Sequence, residues 1–289
     1  MEYSQVISPE HRGLFIIAID QSGSMLEPFY NHSTIVSKSE AASILASAII
    51  EELVLHSRQA FRLSDPCPYC DICAIGYSKL EVKSLLPGNS LILPITALNP
   101  DNIPITRRTV EYIDNNNRLQ LVTECYREWV NPQASNITPT ADMLNTVSVI
   151  VSEWCNNERN KDSMPPIIFN ISDGIGYLEC HKEHMELADK IKSTGTNHGN
   201  TLLFNICVEP LRGSTPLNFP NPDDIPLRHH AYSFAQLSSP MPEIFHPLAA
   251  RYNPDAQPPY LCFSYNSLAL RILPMLDIVI NWKMPQFNY

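Results

Sequence analysis

Leu14-Phe15-Ile16-Ile17-Ala18-Ile19-Asp20-Gln21-Ser22-Gly23-Ser24-Met25 starts as an unbroken apolar run and stops abruptly at Asp-x-Ser-x-Ser. Residues 13–20 read as a first strand, and the Asp and two serines after it put three small oxygen-bearing side chains into one tight turn. That is the chemistry of a hard-cation site. Mg²⁺ takes near-octahedral oxygen coordination and keeps several waters. It is usually held by one or two carboxylates with neutral oxygens and an oxygen of a partner. The same residues can instead make an Asx-type turn and cap the next element, and the motif alone does not choose between the two.

Working outward, Pro166-Ile167-Ile168-Phe169-Asn170-Ile171-Ser172-Asp173-Gly174 repeats the grammar of an apolar run followed by Asp and a turn glycine. Upstream, Ser135-Asn136-Ile137-Thr138-Pro139-Thr140-Ala141-Asp142 precedes a helical pattern. Thr138 therefore falls in a loop just before that helix, with Pro139 as a natural first helical residue.

Between these segments apolar runs alternate with helical patterns, which predicts a doubly wound α/β fold: a mostly parallel central sheet flanked by helices, with one antiparallel edge. Lys38 to His56 reads as a long helix with Ala41, Ile44, Leu45, Ala48, Ile49 and Leu53 on one face. Asp71 to Tyr77 reads as a second parallel strand. Glu81 to Leu86 and Leu91 to Ile95 read as an antiparallel ribbon around Pro87-Gly88-Asn89. Helix is expected over Thr140 to Cys155, strand over 166–172, helix over His181 to Ser193 and strand over Thr201 to Val208. A last strand at Tyr260 to Tyr265 and a helix over Ser267 to Ile280 complete the pattern. Ligands of such sheets bind beyond the carboxyl ends of the strands. Asp20 and Asp173 both fall at those ends, so the candidate ligands should share one edge.

The order Asp-x-Ser-x-Ser, then Thr, then Asp resembles the metal-ion-dependent adhesion site of von Willebrand factor A (vWA) domains, whose fold is vWA/Rossmann-like. The resemblance implies that Ser22, Ser24 and Thr138 offer hydroxyl oxygens to Mg²⁺ or Mn²⁺. Asp20 and Asp173 would act directly or through water, and the remaining position would be filled by water or by an Asp or Glu of a partner protein. The family's second loop often reads Gly-Gly-Thr or Gly-x-Thr. This chain has Ser-Asn-Ile-Thr there, which leaves Thr140 as an alternative to Thr138. Leu14 to Met25, Ser39 to Leu53, Asp71 to Tyr77 and Leu276-Asp277-Ile278 are similar to compact stand-alone bacterial vWA proteins. Those include relatives of the tellurium-resistance-associated group. The implied function is a non-enzymatic, metal-dependent protein-binding module in an intracellular signalling or stress-response complex. The alternative is a metal-dependent hydrolase or phosphatase acting on phosphoesters, which Asp20 and Asp173 would serve; Ser22 as a nucleophile would also need a base, and His32 is the only nearby candidate in sequence.

Composition narrows the setting. With 289 residues, 44% hydrophobic and 17% charged, the chain can form a substantial core, and it is expected to be one domain. A formal charge of -10 argues against a nucleic-acid footprint, and Arg107-Arg108 is only a local pair. No apolar run approaches the roughly 20 residues of a membrane span. The start lacks a secretion-signal pattern, so a cytoplasmic location is expected. Oligomeric state is not legible.

Eight cysteines include Cys67-x-x-Cys70, a spacing that suits a zinc hairpin or a redox pair, but no second such pair follows. Cys180, His181 and His184 form another candidate group. Loop or core thiols are favoured over zinc at Cys67 and Cys70, and Cys125, Cys155, Cys207 and Cys262 read as small core residues. The segment from about 210 to 259 is proline-dense and reads as ordered irregular chain. Within it Glu243 to Tyr252 is a candidate short helix with Phe245, Leu248 and Ala249 turned inward.

Overall fold

A computed structural model describes residues 3–31, 34–59, 67–78, 81–113, 119–175, 181–208, 217–225 and 230–265. Its centre is a sheet of eight strands among those residues. Five of them are β1 (Gly13–Asp20), β4 (Cys70–Ser78), β9 (Ile167–Ser172), β12 (Leu202–Cys207) and β14 (Phe263–Tyr265). These five are mutually parallel, in the order β14-β12-β9-β1-β4. Antiparallel strands close both edges. β5 (Glu81–Ser84) and β6 (Leu93–Pro94) pair with β4, and β13 (Leu217–Asn218) pairs with β14.

Every residue of β1 is buried, because the sheet is covered on both faces. Side chains alternate across a strand, so one face receives Phe15, Ile17 and Ile19 and the other Leu14, Ile16 and Ala18. The first set packs on helix α1 (Lys38–Gln59) through Ala42, Leu45, Ala46, Ile49 and Leu53. The second packs on α2 (Thr140–Asn156), α3 (His181–Ser193) and α4 (His230–Gln236), through residues such as Met143, Val147, Ile191 and Phe234. Helices on opposite faces of one parallel sheet make the fold doubly wound.

The apolar sheet also carries a buried chain of amides and hydroxyls. Tyr77 OH donates to Asn170 Oδ1 at 2.8 Å, Asn170 Nδ2 to Asn205 Oδ1 at 2.8 Å, and Asn205 Nδ2 to Ser238 Oγ at 3.0 Å. Each buried polar group thereby meets a partner across strands β4, β9 and β12.

Several elements differ from the sequence reading. The segments around Pro87-Gly88-Asn89 do not pair with each other: β5 and β6 both bond to β4, whose outer backbone groups would otherwise lack partners. Pro94 is tolerated because it lies at that edge. In α1 the buried stripe is rotated, with Ala42, Ala46, Ile50 and Val54 inside and Ala41, Ile44 and Ala48 only half-buried. The cause is polar. Ser43 Oγ donates to the Val130 carbonyl, Ser47 Oγ accepts from Val130 N–H at 3.2 Å, and Glu51 accepts from Trp129 Nε1 at 2.7 Å. The serines that masked the pattern are what docks residues 127–130 on the helix.

α2 begins at Thr140, with Pro139 just outside as its cap. Two ribbons were not legible: β2 (Pro28–Asn31) with β3 (Thr34–Ser37), and β7 (Ile105–Ile113) with β8 (Leu119–Arg127). A short pair, β10 (Gly195–Thr196) and β11 (Gly199–Asn200), links α3 to β12. The segment read as irregular contains α4, a 3₁₀ turn at Glu243–Phe245 and α5 (His246–Tyr252), with Phe245, Leu248 and Ala249 buried as expected. Cys125 is exposed on β8 and is not a core residue. The helix expected at Ser267 to Ile280, with Leu276-Asp277-Ile278, lies outside the described residues, as do His32 and Cys180. No helix among the described residues is long and apolar enough to cross a membrane.

Candidate metal centre

β1 and β9 are adjacent and parallel, so their carboxyl ends deliver Asp20 and the Ser172-Asp173 pair to the same edge of the sheet. The chain then turns sharply at both places. After Asp20, Gly23 comes so close to the loop before α2 that an added Cβ would lie 3.0 Å from the Asn136 carbonyl oxygen. After Asp173, Gly174 has φ +153°, a conformation that side-chain-bearing residues rarely adopt.

Four of the five candidate ligands meet in one hydrogen-bonded string. Ser22 Oγ and Ser24 Oγ are 3.1 Å apart, and Ser24 Oγ donates to Asp173 Oδ1 at 3.1 Å. Asp20 Oδ1 accepts Ser22 N–H at 2.8 Å and its Oδ2 accepts Ser172 Oγ at 2.6 Å. The Asx-turn alternative is therefore met by Asp20 itself. Ser22, in contrast, makes no side-chain cap to the following 3₁₀ turn. Its hydroxyl is directed to the cluster instead.

Thr138 joins through its loop. Ser135 N–H donates to the Gln21 carbonyl and Gly23 N–H to the Asn136 carbonyl, each at 2.7 Å, which clamps the loop onto the Asp20–Ser24 turn. Asn136 carries φ +63° in that clamp, a conformation Asn tolerates better than most residues. Thr138 stays partly accessible, whereas Thr140 is buried at the start of α2.

Two residues that the motif did not reveal complete the site. Lys38, the first residue of α1, places Nζ 2.8 Å from Asp173 Oδ2 and 2.7 Å from Glu27 Oε2. Its side chain is only 3% exposed, against 11% for Asp173 and 60% for Glu27. The sequence held one signal for it. A lysine at a helix N-terminus opposes the macrodipole, so its position calls for nearby carboxylates. Ser172, the second, was visible only as a spacer before Asp173.

The electrostatics follow from burial. Asp20 is fully buried, and its carboxyl is pushed up to about 6, first by loss of solvent; the Asp173 charge also raises it, while the Ser172 hydrogen bond opposes the shift. A buried carboxylate beside a second one gains from a cation. All five candidate donors are oxygens, two from carboxylates and three from hydroxyls, which is the donor set a hard divalent ion such as Mg²⁺ or Mn²⁺ takes. The residues thus fit such an ion.

The cysteine motif has a different environment. Cys67 and Cys70 are free and buried. Burial pushes both thiols up, Cys70 well above its ordinary range, opposite to the lowered pKa of reactive pairs. Among the described residues no group of three or more His, Cys, Asp and Glu is arranged to hold a metal.

Fold and site together define a doubly wound, Rossmann-like α/β protein with a mixed carboxylate and hydroxyl cluster at the carboxyl edge of its sheet. No family model matches the chain, and no curated protein matches it in sequence. Among solved structures it is similar to von Willebrand factor type A from Catenulispora acidiphila, at 14% identity with a TM-score of 0.35. That match covers 68% of this chain and 33% of the other, so the chain spans about a third of that protein's length.

Proposed function

We propose that this chain is a metal-dependent protein-binding module whose oxygen cluster takes Mg²⁺ or Mn²⁺ and, through it, an acidic group of a partner. The observation that carries the reading is the Ser22–Ser24–Asp173 string with Asp20 beneath it. It unites residues 149 positions apart in one all-oxygen donor set. Ser24 and Asp173 would be the ligands nearest solvent, with Ser22 and Asp20 buried behind them and Thr138 entering from the clamped loop. A bound divalent ion would supply an electrophilic position for a partner's Asp or Glu carboxylate. The serines suit that role, since neutral oxygens leave more of the ion's charge uncompensated than further carboxylates would. The Ser22 hydroxyl is held by Ser24 within the oxygen cluster, which supports a ligand role over nucleophilic attack; the module is read as turning over no substrate. The finer form of the reading is a bacterial vWA-like protein in an intracellular signalling or stress-response complex.

The test is retention of partners from native lysate with Mg²⁺ and with EDTA. Proteins held by the wild type only with metal, and lost in Ser24→Ala, support the reading. Thr138→Ala should weaken partner retention more than metal binding. Retention undiminished by EDTA sinks it, as does phosphoester hydrolysis with Mg²⁺ that disappears in Asp20→Ala.

A further inference from the structure

We propose that Lys38 is a built-in counter-cation of the oxygen cluster, a positioning residue that claims one oxygen of Asp173 and lowers the cluster's affinity for divalent ions. The inference rests on the metal-dependent reading of the site and concerns how tightly that site holds its ion.

The geometry divides the two oxygens of Asp173 between two partners. Oδ1 accepts the Ser24 hydroxyl at 3.1 Å and so faces the ligand string, while Oδ2 is taken by Lys38 Nζ at 2.8 Å. Lys38 is anchored to hold this pose. Its backbone N–H donates to the Glu27 carbonyl at 2.9 Å, and Nζ also meets Glu27 Oε2 at 2.7 Å. Next to it, Ser37 Oγ accepts the Glu40 N–H at 3.1 Å, closing the first turn of α1. A long, flexible ammonium side chain is thus fixed at both its base and its tip.

Two effects follow from this placement. Asp20 and Asp173 are like charges converging on one small site, and the ammonium offsets part of their repulsion, so the cluster is assembled before any ion arrives. The same charge then repels a divalent ion at the neighbouring oxygens, and at a few ångströms in a partly buried site that repulsion is large compared with thermal energy. Glu27 moderates it from the rim, where its carboxylate is mostly exposed. The expected result is a site that is pre-shaped, binds its ion weakly and exchanges it readily.

The experiment is a Mn²⁺ titration of the full chain, followed by the resonance of free Mn²⁺ and by calorimetry, on wild type, Lys38→Met, Lys38→Arg and Glu27→Gln. Folding is checked by circular dichroism in EDTA. Lys38→Met keeps most of the length of the side chain and removes its charge; it should bind Mn²⁺ at least about tenfold tighter than wild type. Lys38→Arg should stay within a few-fold of wild type, which a purely structural role for the lysine shape would not give. Glu27→Gln leaves the ammonium less compensated and should bind more weakly.

Mn²⁺ bound by Lys38→Met alone would also support the proposal. If wild type binds Mn²⁺ and Lys38→Met binds it equally or more weakly, the proposal falls while the metal site stands. If no folded variant binds Mn²⁺, both fall. Should Lys38→Met not fold, Glu27→Gln decides: affinity unchanged or increased overturns the proposal.

Discussion

Asp20→Asn should stabilise the metal-free protein at neutral pH, although it alters the candidate ligand most deeply buried in the site. In the folded chain the Asp20 carboxyl is pushed up to about 6 by burial and by the Asp173 charge. In the unfolded chain it returns to an ordinary value near 3.9. Between those values the native state binds the proton and the unfolded state does not. This group's contribution is therefore fully present below about pH 4 and is lost as pH rises through about 6. That difference between the folded and unfolded chain corresponds to about 3 kcal/mol at neutral pH.

The amide can replace the carboxylate without stranding a polar group. Its oxygen can accept Ser22 N–H as Oδ1 does now, and its Nδ2 can donate to Ser172 Oγ. The Ser172 proton then turns wholly to the Gly174 carbonyl, already 2.8 Å away. Urea unfolding of wild type and Asp20→Asn in EDTA, at about pH 4 and about pH 7.5, measures the effect. The variant should gain about 2–3 kcal/mol at the higher pH and nearly nothing at the lower. A variant less stable than wild type at pH 7.5, or a gap that does not change with pH, would refute the reasoning.

Gly76→Ala would place a Cβ 2.3 Å from Oε1 of the buried Gln21 side chain and should cost about 1–3 kcal/mol in thermal unfolding, largely recovered in the double variant with Gln21→Ala. Gln21 Oε1 and Nε2 are buried and meet no hydrogen-bond partner among the described residues, so Gln21→Met alone should be neutral or stabilising; a loss above about 1 kcal/mol would show that the amide has a partner. Asn205→Ala breaks the buried chain from Tyr77 to Ser238 and leaves the Asn170 amide without its acceptor, which should cost about 2 kcal/mol or more in denaturant unfolding, and a loss under about 0.5 kcal/mol would contradict the network. Cys67→Ser with Cys70→Ser puts two hydroxyls among core side chains and should cost about 1–3 kcal/mol, whereas stoichiometric zinc in the wild type that vanishes in the variant would restore the zinc hairpin.

The central strands were legible because burial on both faces leaves an uninterrupted apolar run, as in Leu14 to Ile19 and Ile167 to Ile171. Turn chemistry then located Asp20 and Asp173 at the strand ends. The face of α1 was misread because Ser43 and Ser47 spend their hydroxyls on the backbone of Val130, a partner more than eighty residues away that local periodicity does not contain. The β7–β8 ribbon was missed for a related reason. Exposure alternates along β7 from Ile105 to Thr109, but hydropathy does not follow it: Ile105 and Leu121 are exposed, while Thr106 and Arg108 are half-buried. At the site, the Asp and Ser positions are a local pattern and could be read directly. Lys38 and Glu27 enter by tertiary packing of α1 against the first loop, and only the lysine's place against the helix dipole hinted at them.

The most direct test of the metal-centre account is calorimetric titration of Mn²⁺ into wild type, Asp20→Ala and Ser24→Ala at neutral pH, with Mg²⁺ as competitor. The account predicts one saturable site in the wild type that Mg²⁺ displaces, weakened by roughly tenfold or more in each variant while both remain folded. Absence of binding to the wild type, or unchanged affinity in both variants, would contradict it.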